Sequence, residues 1–432
     1  MNSNDGTVTR SLRNQLTTGV VNYKTKLKSF SPNARLYLLF VFLTTLNAGI
    51  YGVLFNLYIL RLGFGEDFLG LILALTSVTV GLFAIPSALI CDRLGRRNTL
   101  LLSSAVLLCS LAFLYTTTSE SMLVLFSILY GVSSSLYMVV GATFMVENSS
   151  PYERMHLFAV YSVIYTVAVL CGNMIGGFLP DALGHVLPGS AETMTFRLTL
   201  YASLAAVAFA FVPLLFIRER RARPDGFAGQ LKVFGSVFRS RAIRNMLLVY
   251  CVYGAGWGMA LPYFNVYFSE VLGAGTGQIG TIFTLSQVVM MLGYFAVPIV
   301  TERLGKVRTA SLVQAFSIPF LLLFVATSSV IVATVGFVMR YLLMNMANPI
   351  LNSFKLEIAT KEQHAVVNSL TWMACYTFVG LGTYAGGLLM AGGYNTMPFL
   401  LTCALYGVSA VLYYVLFNDI ERRQTIRTAA QA

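Results

Sequence analysis

One arginine, Arg340, sits inside an apolar run from Val330 to Leu356, about ten residues from its start. A helix rises about 1.5 Å per residue, so the guanidinium would lie roughly 15 Å down, near the middle of a hydrocarbon layer about 30 Å thick. A charge at that depth costs at least about 2.5–3.5 kcal/mol unless it meets water or a partner. Carboxylates offer none, because all seventeen Asp and Glu residues fall in tails, loops or the ends of apolar runs. Two chemistries remain open. Arg340 faces a cavity and holds an anionic or carbonyl-bearing solute by forked hydrogen bonds, or it is a structural arginine satisfied by backbone carbonyls, water or a helix kink. His156, His185 and His364 are also peripheral, so the sequence displays no buried titratable group of the kind proton-coupled carriers use.

The elements that would position Arg340 follow from composition. Of 432 residues, 57% are hydrophobic and only 11% charged, where soluble domains carry about 25%. Mean hydropathy is +0.74. Twelve apolar runs are long enough to cross a bilayer as helices: Leu36–Leu60, Phe68–Ile90, Thr99–Tyr115, Leu123–Met145, His156–Leu179, Leu198–Ile217, Met246–Phe268, Ile279–Val300, Thr309–Ala326, Val330–Leu356, Ala365–Met390 and Met397–Phe417. An all-α membrane protein is expected, with a basic tail over 1–35, a six-helix bundle over 36–217, a central loop over 218–245, a second bundle over 246–417 and a tail over 418–432. Of the 29 Lys and Arg residues, 26 fall in the tails, the central loop and the connections on their side, Lys355 among them; Arg61 and Arg197 fall opposite. That asymmetry places both termini in the cytoplasm, in a multi-pass plasma membrane protein. The +12 charge is therefore a topology signal, and no nucleic-acid partner is expected. The polar start argues against a cleaved signal peptide. The six cysteines read as apolar packing residues.

The two halves repeat at an offset of 209 or 210 residues. Phe55-Asn56-Leu57-Tyr58 meets Phe264-Asn265-Val266-Tyr267, Arg93-Leu94-Gly95-Arg96 meets Arg303-Leu304-Gly305-Lys306, and Glu147 meets Glu357. Gly172-x-x-x-Gly176-Gly177 meets Gly382-x-x-x-Gly386-Gly387. Such a duplication is a parallel repeat. The segment Ala88 to Arg97, with Asp92, Arg93, Gly95 and Arg96, resembles the loop motif G-x-x-x-D-[RK]-x-G-x-[RK] of the major facilitator superfamily, with Ala88 in place of the first glycine. The second copy, Pro298 to Arg308, is more degraded, with Glu302 in the aspartate position.

That resemblance implies a secondary transporter working by alternating access. It also implies a cytoplasmic gate of Asp92, Arg93, Gly95, Arg96, Glu147 and Arg154, repeated by Glu302, Arg303, Lys306 and Glu357. These charges would bond between the halves when that side is shut and part when it opens; otherwise they are orientation signals and caps. The family architecture has helices 1, 4, 7 and 10 line the cavity. Their polar stripes offer Asn47 and Tyr51 on helix 1 (with Thr44 and Tyr58), Tyr130 and Tyr137 on helix 4 (with Ser134), Trp257 on helix 7 with Pro262 as a kink, and Arg340 and Asn348 on helix 10. Each tyrosine fits an interhelical hydrogen bond equally well. The glycine pattern resembles a helix 5 antiporter motif, but its recurrence in helix 11 favours close packing.

Val8 to Phe30 and Phe227 to Phe238 carry amphipathic spacing suited to an anionic leaflet, although Gly19 and four threonines equally suit a disordered tail. A carrier of a small polar or anionic solute, acting as a monomer in the bilayer, is the leading expectation. A multidrug-type efflux carrier and a non-transporting sensor with a carrier fold are the rivals. No G-x-x-x-x-G-K-[ST] loop, nucleophile–base pair or metal-ligand cluster is present in the sequence, so neither an ATP-driven pump nor an enzyme is expected, and no cofactor.

Overall fold

The computed structural model describes residues 30–218 and 234–431. Most of the amphipathic stretches, 8–29 and 227–233, lie outside the described residues; Phe30 is buried and Phe234–Arg239 forms a short helix. Twelve long apolar helices follow the expected runs: α1 Pro32–Arg61, α2 Glu66–Leu94, α3 Arg96–Thr116, α4 Glu120–Glu147, α5 Pro151–Val186, α6 Glu192–Phe216, α7 Arg241–Val271, α8 Thr276–Leu304, α9 Lys306–Val325, α10 Val330–Glu357, α11 His364–Ala391 and α12 Met397–Gln431.

The helices outrun the apolar runs because polar turns also satisfy their backbone by winding on. The start of α1 is fixed by Ser31, whose Oγ accepts from Ala34 N at 3.2 Å, with Pro32 just inside. At α5 Glu153 accepts from Ser150 N at 2.9 Å, completing a capping box five residues ahead of the expected start. The expected tail 418–432 continues α12 through Gln431. The duplication extends to the backbone: Gly63 and Gly273 both take positive φ just beyond α1 and α7, and Gly95 and Gly305 do so between α2 and α3 and between α8 and α9. Only glycine takes that region freely.

Within each half the first helix of the repeat packs on the fifth and sixth, α1 on α5 and α6, α7 on α11 and α12. The halves meet along α2 against α11 and α5 against α8. The glycine patterns make this closeness: Gly172 and Gly176 face α1, Gly382 and Gly386 face α7, and the third glycine of each set turns outward to the other half, Gly177 against Gly280 and Gly387 against Gly70. The last two contacts lie near the end opposite the termini, here the far end; the end bearing the termini and most lysines and arginines is the basic end.

Helix α7 is interrupted. Pro262 lacks an N–H, and a 3₁₀ turn at Leu261–Tyr263 replaces regular α geometry. The missing bond leaves Gly258 O without its helical donor, and Thr383 Oγ1 supplies one at 3.1 Å. Val266 N is taken by Asn265 Oδ1 at 2.9 Å, which frees Pro262 O for a donor from the other half. The kink read from the proline thus creates an acceptor at the seam.

Candidate functional site

That donor is Asn56, whose Nδ2 lies 2.5 Å from Pro262 O and 3.1 Å from Asn265 Oδ1. Asn265 Nδ2 replies toward Val53 O at 3.1 Å and Gly52 O at 3.3 Å. Two asparagines at equivalent positions of the repeat therefore clasp the kinked α7 to α1. Nearby, Arg61 bridges Glu192 of its own half at 2.8 Å and Glu270 of the other at 3.0 Å. Thr276 donates to Asp181 across the seam at 3.3 Å. These bonds close the far end. Losing a buried hydrogen bond and orphaning its acceptor costs about 1–3 kcal/mol. Asn56→Ala is thus expected to raise the far-side thiol labelling rate of Gly52→Cys by about tenfold in a chain lacking its native cysteines. An unchanged rate would assign the asparagines to folding alone.

The gate residues lie at the basic end, and their ion pairs run within each half. Arg96 meets Asp92 at 3.4 Å and Glu147 at 3.2 Å, and in the second half Lys306, the counterpart of Arg96, pairs with Glu357, the counterpart of Glu147. Arg154 donates to Val146 O at 3.3 Å; Arg93, Glu302 and Arg303 are exposed. Gly95 makes the turn before Arg96. Asp92 and Arg96 also line a cavity of about 360 Å³ shared with Asn368 and Trp372 of α11, so hollow space reaches this end. Among the described residues the ion pairs of Arg96 and Lys306 thus stay within their own halves.

Between the ends lie three linked cavities. One of about 160 Å³ in the second half is lined by Arg340, Trp257, Asn348, Tyr253 and Tyr406. One of about 370 Å³ at the seam takes in Tyr51, Asn56, Asn173 and Gln287, and shares Leu261 and Tyr341 with the first. One of about 310 Å³ in the first half is lined by Asn47, Tyr130, Tyr137 and Ser134, and shares Ala48 and Tyr165 with the seam cavity. Each of the seven expected solute-site residues therefore lines a cavity, in three groups.

Their surroundings differ sharply. Asn47 is engaged, accepting from Tyr115 at 3.2 Å, and Tyr51 is stacked between Phe55 and Tyr130 at 4.3 and 5.2 Å. Asn348 accepts from Tyr253 at 3.3 Å. Among the described residues neither Tyr137 Oη nor Ser104 Oγ beside the same cavity makes a hydrogen bond of ordinary geometry, and Tyr137 lies close to the hydroxyls of Tyr37 and Tyr161. Arg340 is 2% exposed. Its Nη2 donates to Tyr406 Oη at 2.9 Å, its charge lies 4.9 Å from the Phe264 ring centroid and 5.6 Å from that of Tyr406, and its Nε has no partner. Among the described residues no carboxylate lies within ion-pair distance of it. Polar atoms left without protein partners along cavity walls call for water or a polar solute.

Several lining residues were not singled out in the sequence. Tyr406 pairs with Arg340 from 66 residues away, and Asn345 and Asn352 extend the polar face of α10. Gln287 on α8, a weaker candidate from its place in the sequence, donates to Tyr341 at 2.9 Å at the seam. Gln314 is buried on α9 outside these cavities, and among the described residues neither its Oε1 nor its Nε2 has a hydrogen-bond partner.

A family model described as Major Facilitator Superfamily matches residues 37–383. Among curated proteins the chain is 27% identical over 187 residues to the efflux pump azaK of Aspergillus niger, covering 42% of this chain and 38% of that one. It is 23% identical over 328 residues to an uncharacterized membrane protein of Saccharomyces cerevisiae, covering 67% of this chain and 72% of that protein. Among solved structures, the nucleoside transporter NupG superposes with a TM-score of 0.70 at 12% identity, over 89% of this chain and 99% of its own. A bacterial homolog to the human lysosomal transporter Spinster, inward-facing and occupied, gives 0.69 at 16%, over 89% and 96%. The human organic anion transporter TETRAN gives 0.59 at 18%, over 88% and 99%. At these identities the structural likeness establishes the fold alone.

Proposed function

The chain belongs to the major facilitator superfamily, and from that premise we propose that it moves a small anionic solute across the plasma membrane by alternating access. The observation that carries this reading is Arg340, a guanidinium on the wall of a central cavity that has, among the described residues, one neutral hydrogen bond, two ring faces and no carboxylate. A permanent charge kept in that position is the group a carboxylate or phosphate would satisfy by a forked contact. Trp257 and Asn348 then bound the solute on either side of the charge, while Tyr51, Tyr130, Tyr137 and Asn47 face it from the seam and first half. The basic end is cytoplasmic on this reading, which follows the distribution of lysine and arginine. One copy of the chain encloses the whole pathway, so a monomer suffices.

The gate residues serve the opposite state. With the far end open, the asparagine clasp and the Arg61–Glu270 bridge part, and the charges around Arg96 and Lys306 trade partners within each half for partners across it. The fold is consistent with this exchange.

A second reading, export of amphipathic organic compounds, is favoured by the aromatic lining of Tyr253, Trp257, Tyr376 and Trp372 and by the fungal relative named as an efflux pump. The two separate in proteoliposomes. Saturable flux of small carboxylates or organic phosphates, with no movement of neutral lipophilic dyes, is the expected result. Dye flux without anion flux would favour the exporter, and binding without any flux would favour a sensor.

A further inference from the structure

By its place in the sequence Lys355 is one of the cations that orient the chain. The structure removes it from the surface: the residue is 1% exposed, and among the described residues its Nζ has no hydrogen-bond partner. Among the described residues its ammonium faces two rings, 5.1 Å from the Trp372 centroid and 5.5 Å from that of Tyr250, with the buried Cys375 thiol near enough to interact with its charge. Ring faces restore only part of the hydration an ammonium gives up. The same two rings line the Arg340 cavity, and Trp372 also lines the cavity that reaches Asp92 and Arg96. Lys355 therefore stands one ring behind the partition between the central cavity and the basic end.

Its place along α10 gives the cation a use. Arg340 and Lys355 are fifteen residues apart on one helix, about 22 Å of rise and close to the same face. Between them Asn345, Asn348 and Asn352 line the cavity, with Asn348 Nδ2 3.4 Å from Asn345 Oδ1. Amides supply N–H donors without fixed charge, so an oxyanion moving along this face keeps hydrogen bonds and is not trapped. About 22 Å is too far for one small solute to touch both cations. They act in turn.

We propose that Lys355 is a second anion-holding station, which takes the charged group of the solute from Arg340 when the Trp372 and Tyr250 rings part and passes it to the basic end. The proposal rests on the anionic-solute reading above, and it adds a site outside the polar stripes read from the sequence.

The chain has two tryptophans, Trp257 beside Arg340 and Trp372 against Lys355. Each station thus carries its own fluorophore, and iodide serves as the anionic probe beside neutral acrylamide. In Trp257→Phe protein, where Trp372 alone emits, Lys355→Met is expected to lower the ratio of iodide to acrylamide quenching constants at least about threefold, the loss of a nearby unit charge. Lys355→Arg should keep the ratio. In Trp372→Phe protein the ratio at Trp257 should fall with Arg340→Met and hold with Lys355→Met. An unchanged ratio at Trp372 in Lys355→Met overturns the second station; an unchanged ratio at Trp257 in Arg340→Met overturns the anionic reading of Arg340 instead. Should Lys355→Met raise acrylamide quenching, a sign of lost packing, Lys355→Gln is read against the same threshold.

Discussion

Replacing Arg340 by alanine is expected to weaken binding of an anionic solute by about ten- to a hundredfold while leaving thermal stability nearly unchanged. Hydrogen bonds to charged groups contribute about 1.5–3 kcal/mol, and each 1.4 kcal/mol is about a factor of ten in affinity. Stability should hold because truncation strands no buried anion: Arg340 pairs with no carboxylate, and only the Tyr406 hydroxyl loses a donor. Relief from burying the charge offsets that loss. Arg340→Lys keeps the charge but loses the fork and should fall between. Tyr406→Phe should cost less than about tenfold, since it removes an anchor and leaves the charge. Ligand-induced thermal shift on purified protein reads both quantities. A melting temperature that collapses in Arg340→Ala, with ligand response intact, would make the residue structural.

A leucine at Gly280 should hold the far end open and abolish transport. A Cβ there would lie 2.5 Å from Asn173 O and 2.8 Å from Gly177 Cα, both backbone atoms that no rotamer change can move aside. Overpacking of a tight contact costs about 1–3 kcal/mol or more, and the strain exists only while the halves are closed at that end. The closed-to-open ratio should therefore drop by about five- to a hundredfold. Spin labels on α5 and α8 near the far end would register a broadened, longer distance. Gly184→Ala on α5 is the control, because nothing lies within 4 Å of its added carbon and transport should persist. Unchanged distances in Gly280→Leu would mean that this seam does not move.

The twelve spans and the two-fold repeat were legible because lipid imposes a simple rule: long apolar runs, charges at their ends, and one sign of charge on one side. Helix ends were not, since the turns at Pro151 and beyond Phe417 are polar and look like loop. Pro262 announced a break in α7, but that the break would free a carbonyl for Asn56 depends on a neighbour 206 residues away. The match of Asn56 with Asn265 was visible as repetition, and its meaning as a clasp needed the seam. The glycine sets read correctly as packing surfaces, although nothing in their spacing told which glycine faced its own half and which the other. The burial of Lys355 was not legible, since near a helix end a lysine normally snorkels to water and only the placement of Tyr250 and Trp372 around it reveals its surroundings. Arg340 stood out because its depth was arithmetic.

The most direct test compares an anion with its own neutral analogue. Once flux identifies a transported carboxylate, calorimetric titration of that acid and of its amide against wild type and Arg340→Met forms a closed cycle. The wild type should favour the acid at least about tenfold and the variant should bind the two alike. If Arg340→Met keeps the full preference for the acid, the charge in the central cavity is not what holds the solute.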